Sequence, residues 1–117
     1  MISPPTLRVY WQLWKRVMIN PPSRHLEKVR TILGKYVPQC EVRAFGSRLS
    51  GAAKDYSDLD LAVVASGKLN DDILRHLKEA FEESDLPFRV DVLDWHDIAS
   101  DFQEVIEKEY EVVQPAA

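Results

Sequence analysis

Apolar side chains recur every three or four residues from Ser23 to Tyr36, at Leu26, Val29, Leu33 and Tyr36, with Arg24, Lys28, Arg30 and Lys35 between them. That period predicts a helix with one core-facing stripe and a solvated basic face, on which His25 also falls. Ser23 is its candidate N-cap, and Pro38 lies just beyond its end because proline cannot continue a helix. The pattern then shortens. EVRAF at 41–45 and DLDLAVVA at 58–65 read as strands, the second too apolar for an exposed edge. Only a short linker joins them, whereas parallel strands need a crossover of about a dozen or more residues, so an antiparallel pair with a helical turn at Ser47–Ser50 is expected. After Gly67 the helical period returns. Asn70 is placed to cap a helix running through Ser84, Leu69 and Leu74 take staple positions, and Ile73, Leu77 and Phe81 form the buried stripe. A third strand, 89–94, follows Pro87 and is expected parallel to the second because a helix intervenes. The last helix begins after Ser100, whose pairing with Gln103 fits a capping box, and carries Phe102, Val105 and Ile106. Residues 110–114 predict a short edge strand. The fold class is therefore α/β (α+β): a small mixed three-stranded sheet, extended by that fourth strand, with helices packed on it.

Residues 1–20 stand apart as an N-terminal extension. Pro4 and Pro5 precede a helical period over 6–18 in which Leu7, Trp11, Trp14 and Val17 share part of one face. The segment reads either as an accessory helix that docks on a partner or as a product of start-codon choice. The domain proper spans 21–114, and 115–117 form a tail. A chain of 117 residues supports one modest core; a catalytic domain of this size is expected to receive its substrate from another molecule. The single cysteine, Cys40, excludes an internal disulfide, fits a reducing compartment and suits a small core position. No apolar run approaches the roughly 18 residues of a membrane span, and no signal-peptide pattern opens the chain, so a cytoplasmic location is expected. Charge is divided unevenly: residues 1–38 hold seven Lys/Arg against Glu27, net +6, and residues 39–117 hold eight against eighteen acids, net −10. An acidic body argues against direct nucleic-acid binding, which relies on basic surface, and suits a basic protein partner.

The densest candidate chemistry is GSRLSGAAKDYSDLD at 46–60, a Gly-Ser pair followed after ten residues by Asp58 and Asp60. In a strand, residues i and i+2 share a face, so the two acids stand side by side. At an effective dielectric of about 20, like charges roughly 5 Å apart repel by about 3 kcal/mol, and such a pair either holds a proton or binds a divalent cation. Oxygen-only ligands favour Mg²⁺ or Mn²⁺. Gly46 allows close backbone approach, and a short helix start after it would offer N–H groups to an anion. Structural alternatives stand beside this reading, since Asp-x-Asp also caps helices and Gly-Ser also makes turns. A third acid, Asp91, lies in FRVDVLDW; with Val90 and Val92 toward the helices it faces the same way as the pair. Asp94 then falls on the opposite face. It is the rival, because a one-residue register slip exchanges the two, and its structural role, with Asp97, is to cap the next segment.

The motif GSRLSGAAKDYSDLDLAV, followed by RVDVLDW, resembles the minimal nucleotidyltransferases of the DNA polymerase beta-like superfamily over residues 23–114. The small size and the DVLDW ending are similar in particular to the MNT antitoxins of HEPN–MNT toxin–antitoxin pairs. This resemblance implies a nucleotidyltransferase fold and transfer of AMP from ATP, with Mg²⁺, to a tyrosine hydroxyl of a partner HEPN ribonuclease toxin, with which the chain forms a hetero-oligomer. It implies that Asp58 and Asp60 ligate the metal on the triphosphate, and that Asp91 shares a second metal or helps remove the hydroxyl proton. Ser47 and the backbone at Gly46 would hold the β- and γ-phosphates, and Arg48 would neutralise the departing pyrophosphate. Two other readings are a non-catalytic antitoxin that covers its toxin's surface, and a small-molecule (aminoglycoside-like) nucleotidyltransferase subunit with a substrate-binding partner in trans.

Overall fold

Strand alternation divides the molecule into two unlike faces, and a computed structural model describes this for residues 23–46 and 58–117. The elements are α1 (Ser23–Tyr36), β1 (Glu41–Phe45), β2 (Leu59–Val64), α2 (Asp71–Glu83), β3 (Val90–Asp94), a 3₁₀ turn (Trp95–Asp97), α3 (Ser100–Lys108) and β4 (Glu111–Gln114). The helix expected over 6–18 and the turn expected at 47–50 lie outside the described residues. The strands form one sheet in the order β3-β2-β1-β4. β1 pairs antiparallel with both β2 and β4, and β2 pairs parallel with β3. The antiparallel first pair and the parallel crossover through α2 are the arrangement the connection lengths require.

One face carries the main core. Val42 and Ala44 of β1, Leu59, Leu61 and Val63 of β2, Val92 of β3 and Val113 of β4 pack with Val29 and Leu33 of α1 and Leu77 and Phe81 of α2. Cys40 is buried in the same cluster, and burial first, then the charge of Asp94, pushes its thiol up, as suits an inert core cysteine. On the opposite face α3 and the 3₁₀ turn bring Ile106 and Trp95 onto Ala62. Arg43 is held there between two aromatic faces, 4.7 Å from the Trp95 ring centre and 4.5 Å from that of Tyr110, while its Nε donates to Glu41. No helix among the described residues is long and apolar enough to cross a membrane.

Several local expectations change. Ile73 is 39% exposed, and the α2 stripe runs instead through Leu74, Leu77 and Phe81, because the helix is rotated to set Leu74 and Leu69 against the core. Asn70 does cap α2, accepting from the Asp72 N–H at 2.7 Å. The Ser100–Gln103 capping box does not form: Ala99 is the cap residue, and Gln103 instead donates 2.7 Å to the Trp95 carbonyl. His25 is not on the solvated side but half-buried, edge-on to Phe88 at 5.7 Å. The basic residues between them, Arg24, Lys28, Arg30 and Lys35, are exposed as expected.

Asp94 is only 4% exposed and accepts from the Leu69 N–H at 2.8 Å and the His96 N–H at 3.1 Å, tying the end of β3 to the entrance of α2. Replacing it leaves two inward donors without a partner. Asp94→Ala is expected to lower unfolding stability by about 2 to 3 kcal/mol, seen as a lower urea midpoint at unchanged slope.

Candidate active site

The pairing registers place three side chains in one row. Phe45 of β1 stands opposite Asp60 of β2, and Asp60 opposite Asp91 of β3. Cross-strand partners point to the same face, here the one that α3 partly covers. Val90 and Val92 turn to the helices, so Asp91 shares a face with Asp60, and Asp94 lies on the other face in its capping role. Asp58 precedes β2 rather than belonging to it and is exposed.

Electrostatics mark Asp60 as the centre of the row. Burial pushes its carboxyl above the ordinary value of 3.8, and the charges of Asp91 and then Asp58 push it further the same way. All three acids therefore act at one point. No group of three His, Cys, Asp or Glu side chains within reach of a single metal ion is found among the described residues. One oxygen of Asp91 is already engaged, since its Oδ1 accepts from Arg89 Nε at 3.0 Å.

Gly46 ends β1 with φ +92, a left-handed conformation that side chains rarely adopt. A Cβ at this position would overlap Oδ2 of Asp60 and stand 3.4 Å from its Cγ. The backbone thus lies directly against the carboxylate, which only glycine permits. Ser47 and Arg48 lie outside the described residues.

An open cleft of about 940 Å³ runs along β3, its lining including Phe45, Asp60, Arg89, Asp91, Leu93 and Phe102. Phe102 of α3 meets Phe45 edge-on, ring centres 5.9 Å apart. Sequence reasoning passed over Arg89 and this aromatic pair. Arg89 had a legible signal, its two-residue spacing from Asp91; the meeting of Phe45 with Phe102, 57 positions apart, had none.

A mixed sheet with paired acids at the strand ends beside a left-handed glycine defines a nucleotidyltransferase-type domain. The chain belongs to the Polymerase beta, Nucleotidyltransferase family, whose model matches residues 27–114. It is 53% identical over 92 residues, 79% of this chain and 81% of the relative, to the Haemophilus influenzae protein named "Probable protein adenylyltransferase MntA". Among solved structures it is similar to a toxin–antitoxin with AMP-PNP, with TM-score 0.65 at 22% identity, covering 78% of this chain and 73% of that one. A second is a tri-AMPylated Shewanella oneidensis HEPN toxin in complex with MNT antitoxin, with TM-score 0.62 at 21% identity, covering 80% and 72%. At these identities the two structures show the fold.

Because folding raises the affinity of Asp60 for its proton, Asp60 favours the folded state while protonated, and that advantage is lost as pH rises through its folded pKa. Asp60→Asn is accordingly expected to raise the urea midpoint near pH ~7 and to leave it almost unchanged near pH ~3, below the ordinary carboxylate range. An unchanged or lower midpoint at neutral pH would count against the electrostatic account. Gly46→Ala is expected to lose about 1 to 3 kcal/mol of stability through its backbone angle alone, with a further displacement of the Asp60 carboxylate readable as a shift of its side-chain NMR resonance.

Proposed function

We propose that this chain is a protein adenylyltransferase antitoxin: it transfers AMP from ATP to a hydroxyl, that of a tyrosine, on a HEPN toxin partner and silences it in a cytoplasmic complex. The observation that carries this reading is the row of Asp60 and Asp91, closed on one flank by the Gly46 backbone, in a chain 53% identical to a protein adenylyltransferase.

The residues take distinct parts. Asp58 and Asp60 are metal ligands, and the raised carboxyl of Asp60 records an excess of negative charge that a divalent cation relieves. Mg²⁺ suits the donor set, because it is bound by one or two carboxylates together with substrate phosphates rather than by a closed protein cage. Bound there, the ion supplies neutralisation of the triphosphate and of the pyrophosphate that leaves. Gly46 allows the backbone to approach the β- and γ-phosphates, Ser47 donates to them, and Arg48 offsets charge on the departing group. Asp91 serves the acceptor, either sharing the metal or taking the proton from the hydroxyl. The acceptor oxygen forms its bond to the α-phosphorus as the bond from that phosphorus to the bridging oxygen breaks, and pyrophosphate departs with the electron pair.

The test is incubation of the full chain with labelled ATP, Mg²⁺ and the HEPN protein encoded beside it. Asp58→Asn and Asp60→Asn are each expected to reduce label transfer by at least about a hundredfold while far-UV circular dichroism stays unchanged. Equal labelling by the double variant would remove the assigned site. Loss of labelling with retained neutralisation of the toxin would favour an antitoxin that acts by covering its partner.

A further inference from the structure

The flank of the site opposite Gly46 has chemistry that AMP transfer from ATP does not use. β3 is the outermost strand of the sheet, and the cleft opens along it. Its floor beside Asp91 is apolar, made by Leu93, Phe45 and Phe102, with Phe102 38% exposed although it stands edge-on to Phe45. At the rim is Arg89, whose side chain is 76% exposed and held to the molecule through Asp91. A flat apolar floor, a carboxylate and a mobile guanidinium form a seat for an aromatic ring joined to an anionic group.

Resting on the transfer reaction above, we propose that this flank is the acceptor seat, and that Arg89 recognises an acceptor already carrying AMP through its phosphodiester. The nucleotide that donates AMP lies on the Gly46 flank, so the acceptor enters along β3, with its ring on Phe102 and Leu93 and its hydroxyl toward Asp91. In a first round the acceptor is a neutral phenol. Where one AMP is built on another, every later acceptor brings a negative phosphodiester toward two carboxylates, which repel it. Arg89 offsets that repulsion, and its planar fork can hold two phosphate oxygens at once. The ion pair with Asp91 keeps the guanidinium within reach before the acceptor arrives, and its exposure leaves it free to turn outward.

Two measurements test the seat. In the first, intact-mass analysis follows one, two and three AMP additions to the HEPN protein with ATP and Mg²⁺. Arg89→Gln is expected to leave the first addition within about twofold of the wild-type rate and to slow later ones about tenfold; Arg89→Lys recovers part of the loss. Phe102→Ala should raise the acceptor KM several-fold, by roughly threefold or more, in every round alike. Lys78→Gln, which removes the cation across β3 on α2, should leave all rounds unchanged. In the second, the protein without nucleotide or metal is titrated calorimetrically with adenylyl-tyrosine amide and with tyrosine amide. Arg89→Gln should weaken only the former, about tenfold. Equal slowing of all rounds by Arg89→Gln, no slowing, the same loss from Lys78→Gln, or wild-type protein that binds the two amides alike would overturn the seat. A wild-type chain that transfers no AMP fails the transfer reading instead, and the titration separates the two results.

Discussion

Strand register is the constraint on which the site depends. Asp60 reaches Asp91 and Phe45 only because β1 pairs antiparallel and β2 parallel at positions that set all three opposite one another. A slip of one residue in β3 would present Asp94 in place of Asp91 and turn Val92 out of the core. The core opposes such a slip, since Leu59, Leu61, Val63 and Val92 fill one face with the apolar stripes of α1 and α2. The capping bonds of Asp94 add a polar lock in the same direction. Packing on one face thus fixes the chemistry on the other.

Charge on the functional face works against the fold. Asp60 is half-buried beside two further acids, an arrangement that favours its protonated form and stores electrostatic tension. Natural domains carry such tension at sites that bind cations. Here it is confined to one end of the sheet. Farther along the same face, Arg43 sits between Trp95 and Tyr110 with Glu41 as its partner, and Ile106 seals Ala62. The two ends of that face therefore have different tasks: the aromatic sandwich anchors the 3₁₀ turn and the segment that follows α3, and the acids at the other end stay open along β3.

This division fits an enzyme that works on a partner protein. The cleft is shallow and bounded by the outermost strand rather than by a second domain, so a hydroxyl presented on another chain can reach Asp91. Similarity at near 20% identity to the toxin–antitoxin structures shows how little of the sequence such a fold needs to keep. The alternation of apolar and polar positions, together with a few residues at the strand ends, suffices to maintain it.

The linear chain determined the elements wherever period and punctuation agreed. Glu41–Phe45 was legible to the residue, α2 was legible from Asn70, and the parallel crossover followed from the helix between β2 and β3. The alternation in RVDVLD also favoured Asp91 over Asp94, because a buried valine on either side dictates which way the acid faces. Helix rotation was not legible: Ile73 and Leu74 are equally apolar, and only packing against the sheet chose Leu74. Nor was the fate of Gln103, whose carbonyl partner comes from the 3₁₀ turn, or the inward turn of His25 toward Phe88. Local sequence encodes periodicity and caps, which depend on neighbours three or four positions away. The left-handed contact of Gly46 with Asp60, the meeting of Phe45 and Phe102 and the burial of Asp60 depend on atoms far apart in the chain, and tertiary packing alone decided them.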